Sequence, residues 1–428
     1  MKISNKRLLA TAVAAALALP SAAFATNGYF AHGYGTKNKG LGGAGVALPQ
    51  DSQAAATNPA GMVRVGDRMD LGAALFSPQR EYTVSGTSGG AGGAFSLQEG
   101  TVESDSDYFL IPHFGRNWML DADSSIGVSL YGNGGMNTDY PDSADTFYGS
   151  SMGGGEAGAG VNLEQLFVNT SYSRKIDDKS SWGASAILAY QRFEATGLAA
   201  FGTSSDDPDN LTDNGTDDSM GYGFKLGYQG EVAQGLTLAA SYQSEMEMAE
   251  FDDYAGLFAE QGGFNIPATW TLGLSYDMGD SGTVLFDVQE IMYSDINSIA
   301  NPISNLTVDG NLLGTDNGAG FGWEDITVYK LGYQWSTSAD WTWRVGYNHG
   351  DNPIPESEVL FNILAPGVME DHLTFGFTKS TGADSEFNFA AMYAPSNSVK
   401  GTNAMDPNQE IELEMTQWEL EASWAWKF

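Results

Sequence analysis

The chain has 428 residues, with no cysteine, 54 glycines, and 54 acidic against 19 basic side chains, for a formal charge of −35. That charge repels nucleic acid and other polyanions, and the lack of thiols excludes disulfide staples, a lipid-modified cysteine and thiol chemistry. Past the N-terminal stretch, no run approaches the ~18 apolar residues that a spanning helix needs.

Residues 1–25 read as an export signal. Lys2, Lys6 and Arg7 precede an apolar run from Leu8 to Leu19, Pro20 breaks it, and Ala23-Phe24-Ala25 offers a small-x-small cleavage site. The mature chain is then expected to start at Thr26. An export signal without a helical anchor leaves periplasm, secretion or outer membrane as destinations.

Residues 26–66 are rich in glycine and alanine and lack regular alternation. Gly40 to Gly45 match a GxGxxG pattern, but with no strand before them and no βαβ unit around them a dinucleotide site is not supported; close backbone packing suits these glycines better. Asn58-Pro59-Ala60 reads as a turn, with proline fixing φ after a capping asparagine: either an ordinary lead into the first strand or a fixed joint in a plug.

From residue 67 onward the signal is period-two alternation. The last segment shows it plainly: Trp418, Leu420, Ala422, Trp424, Trp426 and Phe428 share one face, and Gln417, Glu419, Glu421, Ser423 and Lys427 the other. A strand with one oily and one charged face needs hydrocarbon on one side and water on the other. The pattern recurs in about fourteen segments, near 67–78, 107–119, 124–133, 162–175, 181–195, 219–231, 235–247, 267–279, 282–293, 325–337, 340–349, 369–380, 385–395 and 409–428. Connections alternate between tight turns and long loops, as in a barrel with short periplasmic turns and long outer loops. The expected fold is therefore all-β, a transmembrane antiparallel barrel of about fourteen strands in the outer membrane of a Gram-negative cell. A barrel this wide encloses more space than its own side chains fill, and the 26–66 segment is the natural filler, leaving 67–428 as the barrel.

Several local features could carry function. Gly132, Asn133, Gly134 and Gly135 end the third segment, as a bulge that opens a gap in the wall or as a plain strand end. Asp206, Asp207, Asp209, Asp213, Asp217 and Asp218 crowd one outer loop; carboxylates bind Ca²⁺, but no EF-hand spacing is present and a solvated loop is the better reading. In the next outer loop Phe251, Tyr254, Leu257 and Phe258 recur at near-helical spacing, predicting a short amphipathic helix. With Leu198 and Phe201 of the acidic loop, these residues either pack on themselves or form a landing site for an oily ligand. The four histidines, His32, His113, His349 and His372, are scattered without a nucleophile signal, so no catalytic residue, metal or cofactor is expected.

On these residues the chain resembles the FadL-type outer-membrane transporters of long-chain fatty acids and aromatic hydrocarbons. The resemblance is carried by TNGYFAHGYGTKNKGLGGAG after the signal, by Asn58-Pro59-Ala60 ahead of the first strand, by FNIPATWTLGLSYDM, LFDVQEIMYSDI and WTWRVGYNHGDNPIP, and by the terminal WAWKF; it covers essentially the whole mature chain. It implies a fourteen-stranded barrel with an N-terminal hatch holding Asn58, Pro59 and Ala60. It also implies a kink in the third strand that opens the wall, here at Gly132, Gly134 and Gly135. A first ligand groove is implied between the third and fourth outer loops, here Leu198, Phe201, Tyr254, Leu257 and Phe258, and a terminal aromatic, Phe428, read by the barrel-assembly machinery. The third loop departs from the family in being short and acidic. The expected function is passive uptake of hydrophobic compounds (fatty acids, alkanes or aromatics), captured on the outer loops beside lipopolysaccharide, passed into the lumen and released sideways into outer-membrane lipid by a monomer. The alternative is a general diffusion porin for small polar solutes.

Overall fold

A computed structural model describes residues 27–87, 95, 97–141 and 158–428; the export signal, residues 1–25, lies outside the described residues. Fourteen long strands form a closed antiparallel barrel: β1 (Arg68–Ser85), β3 (Phe109–Met119), β4 (Ser124–Asp139), β5 (Gly160–Lys175), β6 (Ser180–Thr196), β7 (Asp217–Ala233), β8 (Leu236–Gln243), β10 (Thr269–Asp277), β11 (Thr283–Ile291), β12 (Ile326–Ser338), β13 (Trp341–Gly350), β14 (Asp371–Ser380), β15 (Ser385–Thr402) and β16 (Glu410–Lys427). Two short strands, β2 (Gly100–Glu103) and β9 (Glu247–Met248), pair on β1 and β7. Each long strand pairs with its neighbour in sequence, and β16 closes onto β1 from Arg68↔Lys427 to Ser85↔Glu410. Closure leaves no edge, which is what hydrocarbon demands of a spanning sheet.

All fourteen predicted segments appear as strands. Three run further outward than alternation predicted: β1 to Ser85, β4 to Asp139 and β15 to Thr402. The reason lies in how alternation inverts along a strand. In β16 the inward residues are Gln417, Glu419, Glu421 and Ser423 in the lower part but Ile411, Leu413 and Met415 in the upper part; the outward ones are Leu420 and Trp424 below and Glu410, Glu412 and Glu414 above. Above the bilayer the outside is aqueous and the inside oily, so the strand continues while its outward oily face stops.

The lumen is layered accordingly. Its outer half is lined by Val161, Leu163, Phe167, Ile187, Phe193, Ile411, Leu413 and Met415, which join the loop side chains in one apolar core. Its periplasmic half is lined by polar groups such as Ser171, Ser185, Lys225, Asp287, Glu419 and Glu421, all buried. What buries them is the hatch: residues 27–66 lie inside the barrel, most of them buried up to Val63.

The outward face is committed to lipid. Leu331, at the middle of β12, is 49% exposed in the isolated chain while its neighbour Lys330 is buried. Leu331→Arg places a charge on the lipid face at mid-strand and is expected to destabilise the barrel by ~2–4 kcal/mol, measured by reversible unfolding in lipid vesicles. An unchanged stability would mean that this face does not meet hydrocarbon.

Candidate functional site

The hatch is held on one side by buried charge. Lys37 Nζ lies 2.5 Å from Glu386 of β15, and Arg68 of β1 reaches both Glu386 (2.8 Å) and Asp70 (2.6 Å). Lys39 Nζ is 2.8 Å from Glu419 and 2.8 Å from Glu421 of β16, while Thr36 donates its hydroxyl to Glu421 at 2.7 Å. Burial opposes the Lys39 charge, but the two carboxylates outweigh it and hold the ammonium well above the usual lysine range. A raised lysine contributes stability that is fully present below its unfolded value of ~10.4 and is lost only as pH rises beyond it, so the pairing persists across neutral pH. His32, stacked on His372, is pushed well below the histidine range by burial and by Lys39, His372 and Lys330 around it, and so stays neutral.

The glycine motif packs rather than binds. Gly42 and Gly43 have φ of +67° and +80°; a side chain on Gly42 would strike the Tyr347 backbone, and one on Gly43 the His32 carbonyl. Gly42 N–H donates to Thr374 Oγ1 at 2.8 Å. Asn58 ties hatch to wall: its amide donates to the carbonyls of Val46 (2.8 Å) and Tyr228 (3.2 Å), its Oδ1 accepts from Ala60 N–H (3.0 Å), and Pro59 opens the 3-10 turn Pro59–Arg64.

The glycines of β4 sit within the strand, not at its end. Register against β5 shifts between Gly132 and Gly134, so Asn133 is bulged. Beyond that point the wall is incomplete. The β3–β4 ladder covers only Phe114↔Leu130 to Met119↔Ser125; of the neighbouring strands, β3 residues 109–113 pair with β1 alone, and β4 residues 131–139 with β5 alone. The hatch N-terminus supplies part of what is missing: Ala31 N–H donates to Asn133 O and Gly135 N–H to Tyr29 O, both at 3.0 Å. Tyr29 and Phe30 are wedged against Tyr293, with ring centroids 5.3 and 5.9 Å away. Near the top of the gap, Asp105 N–H donates to Asp139 O at 2.8 Å.

Outside this gap an apolar cavity of about 50 Å³, partly open to solvent, lies among the outer loops. Leu198, Phe201, Leu257 and Phe258 line it together with Phe193 and Val161 of the wall. Tyr254 does not line it. It sits behind, its ring 4.8 Å from Phe193, accepting from Ala195 N–H and donating to Gly215 O. The expected helix over Phe251–Phe258 is replaced by a 3-10 turn, Asp252–Tyr254, and a broken helical turn, Ala259–Gly262, in which Glu260 and Gln261 have positive φ. Phe251, Phe258 and Tyr254 cluster on Phe193 without needing helical phase. The remaining lining comes from residues that alternation did not single out: Ser298, Leu313, Ala319, Gly320 and Phe321 of the loop after β11, and Phe361 and Leu364 of the loop after β13. Their signal was loose apolar content in long loops. In the acidic loop Asp207 accepts from the Asn210 side-chain amide and Asp213 from Gly197 N–H, and among the described residues no three histidines or acids converge on a metal position.

At the seam, Phe428 N–H donates to Asp67 O at 2.9 Å, and its ring, 74% exposed, lies 4.3 Å from the Arg116 guanidinium.

A family model described as outer membrane protein transport protein (OMPP1/FadL/TodX) matches residues 11–417. The chain belongs to that family. It is thus an outer-membrane transport protein, not an enzyme, and the resemblance read from its motifs is borne out. A search of the curated proteins finds no match. Among solved structures, the toluene transporter TodX of Pseudomonas putida shares 18% identity, with 93% of this chain and 99% of that one covered at a TM-score of 0.67. A FadL homologue of Pseudomonas aeruginosa shares 14%, covering 94% and 100% at 0.69, and the toluene transporter TbuX of Ralstonia pickettii 17%, covering 93% and 99% at 0.64. At such identities these similarities establish the family fold.

Removing Lys39 leaves Glu419 and Glu421 facing each other without their lysine. Lys39→Met is expected to weaken hatch seating by ~3–5 kcal/mol, the cost of breaking a buried pair. Planar-bilayer recordings should then show openings that the parent protein and Lys39→Arg lack; recordings as silent as the parent's would contradict this role.

Proposed function

We propose that the protein is a passive uptake channel for uncharged hydrophobic molecules the size of a single aromatic ring or a short alkyl chain. The carrying observation is the outer cavity: its lining contains no charged side chain and Ser298 as its one polar one, with the Ser298 hydroxyl already donating to Gly263 O at 2.5 Å. Apolar surface gains ~25 cal/mol per Å² on burial there, whereas a carboxylate would be desolvated without a partner. That favours hydrocarbons over fatty acids at this first site, in keeping with the toluene transporters among the structural relatives.

From the cavity the solute would move into the apolar outer half of the lumen. It would not continue downward, because the periplasmic half is polar and filled by residues 27–66. The proposed exit is the stretch where β3 and β4 are unpaired, once Tyr29–Ala31 lets go of Asn133 and Gly135, so that the solute leaves sideways into lipid. In this reading residues 26–66 are the hatch, Asn58-Pro59-Ala60 its fixed joint, and Gly132, Gly134 and Gly135 the kink. Phe428 is the residue presented to the assembly machinery, the acidic outer rim faces lipopolysaccharide, and the protein works as a monomer. A general porin would instead need an open lumen with rings of charge.

Two measurements test this. In cells lacking other uptake routes, Leu257→Asp and Phe258→Asp should each slow toluene uptake by about tenfold, equivalent to ~1.4 kcal/mol; uptake of toluene unchanged, with polar sugars admitted instead, would favour the porin. Deleting Asn133 removes the bulge and lets β4 pair in register. The barrel should still assemble and migrate as a folded band, while toluene uptake falls to the level of cells without the protein. Full uptake by this deletion would rule out the wall as the exit.

A further inference from the structure

The hatch is bonded unevenly. Towards β1, β15 and β16 it makes the ion pairs described above. Towards β4 and β5 it presents the helical turn Ala54–Thr57, and lower down, towards β5 and β6, the 3-10 turn Pro59–Arg64, whose Ala60 carbonyl accepts from Ser173 at 2.9 Å and Ser181 at 2.8 Å. Alanine side chains offer no hydrogen bond; the helical turn's N–H groups bond internally, Ala56 N–H with Gln53 O and Asn58 N–H with Ala54 O, and its carbonyls reach the wall on the far side, Ala56 O accepting from Lys225 of β7 and Thr57 O from Ser241 of β8 at 2.9 Å. The wall opposite is nonetheless polar. The hydroxyls of Ser125, Ser129, Ser171 and Ser185 and the Oδ1 of Asn169 are buried without a hydrogen-bond partner, as are both amide atoms of Gln53 on the hatch. Ser129 faces Asn169, and Ser171 faces Ser185, as direct cross-strand partners. One weak contact crosses the crevice, from Asn169 Nδ2 to Ala55 O at 3.4 Å.

Buried polar groups of native proteins are paired, with protein or with ordered water. So many orphans in one crevice is a pattern that internal water resolves, since each molecule bridges two to four such groups. A water-filled contact between small side chains also has few of the apolar contacts that make a region resist local opening. We infer that the crevice between Gln53–Ala56 and the inner faces of β4, β5 and β6 holds ordered water and is where the hatch yields, while its lysine-paired side stays docked on β15 and β16. The position fits the transport reading, on whose moving hatch this inference rests. Ser129 adjoins Leu130, where the β3–β4 ladder ends, so a shift of this turn clears space directly beneath the gap.

The test is amide hydrogen exchange on the full-length protein in lipid nanodiscs without added solute, so that it stands apart from any question of what is carried. Amides of residues 54–58 should exchange at least about tenfold faster than those of residues 39–44. The triple variant Ser129→Ala, Ser171→Ala, Ser185→Ala removes hydroxyls that hold the water and should slow exchange at 54–58 several-fold. Ser185→Thr, which keeps a hydroxyl, should leave it as in the parent. Folding of each variant is read from heat-modifiable migration. Exchange at 54–58 as slow as at 39–44, or a triple variant that exchanges like the parent, overturns the inference. If the exchange pattern holds while toluene uptake fails, the solute assignment falls and the yielding crevice stands.

Discussion

A backbone in hydrocarbon has no water to bond, so each peptide group of a spanning sheet needs a partner within the protein. Most wall junctions meet that demand through long ladders, bulged at four of them, and β16 meets β1 over their full length. The junction of β3 and β4 does not. Its ladder stops at Phe114↔Leu130, and the groups beyond it on β4 are met partly by Tyr29 and Ala31 of the hatch. One consequence is that plug and wall are not separate devices. Whatever releases the hatch N-terminus leaves bonding groups of the wall unmet, and whatever closes the wall holds the hatch in place.

A second consequence concerns direction. The lumen changes from apolar to polar partway down, visible along β16 as the inward series passes from Ile411, Leu413 and Met415 to Gln417, Glu419 and Glu421. An oily solute in the upper lumen finds polar, hatch-filled space below and hydrocarbon beside it. No energy source is needed to bias its path; transfer free energy per unit of apolar surface is enough. The polar lower half at the same time gives the hatch lysines their carboxylates, so one gradient both seats the plug and steers the solute away from it.

The barrel was legible because hydrocarbon imposes strict alternation wherever it touches the strand, and it touches all fourteen. The outer extensions of β1, β4 and β15 were not, because above the bilayer the oily face turns inward. The cavity was legible in part. Leu198, Phe201, Leu257 and Phe258 stood out as apolar residues in otherwise polar loops, whereas Leu313, Phe321, Phe361 and Leu364 come from two further loops whose convergence has no periodic signature. Tyr254 was grouped with the lining by helical spacing, but the loop is not a helix, and its ring braces Phe193 from behind. The hatch anchors carried a signal that went unused: Glu386, Glu419 and Glu421 occupy inward positions of strands, where a carboxylate needs a cation, and Lys37 and Lys39 are two of the few lysines in the chain.

The central claim is the route: outer cavity, upper lumen, gap between β3 and β4. It is tested most directly by photolabelling the protein in proteoliposomes with a small aryl diazirine added from outside, followed by mapping of the labelled residues. The account predicts label on Phe258 and Phe321 and along the gap at Ile111 and Met136, with diazirine also recovered on lipid. Label passing instead to Thr237, Ser275 and Lys179 at the periplasmic mouth, with none at the gap, would contradict it.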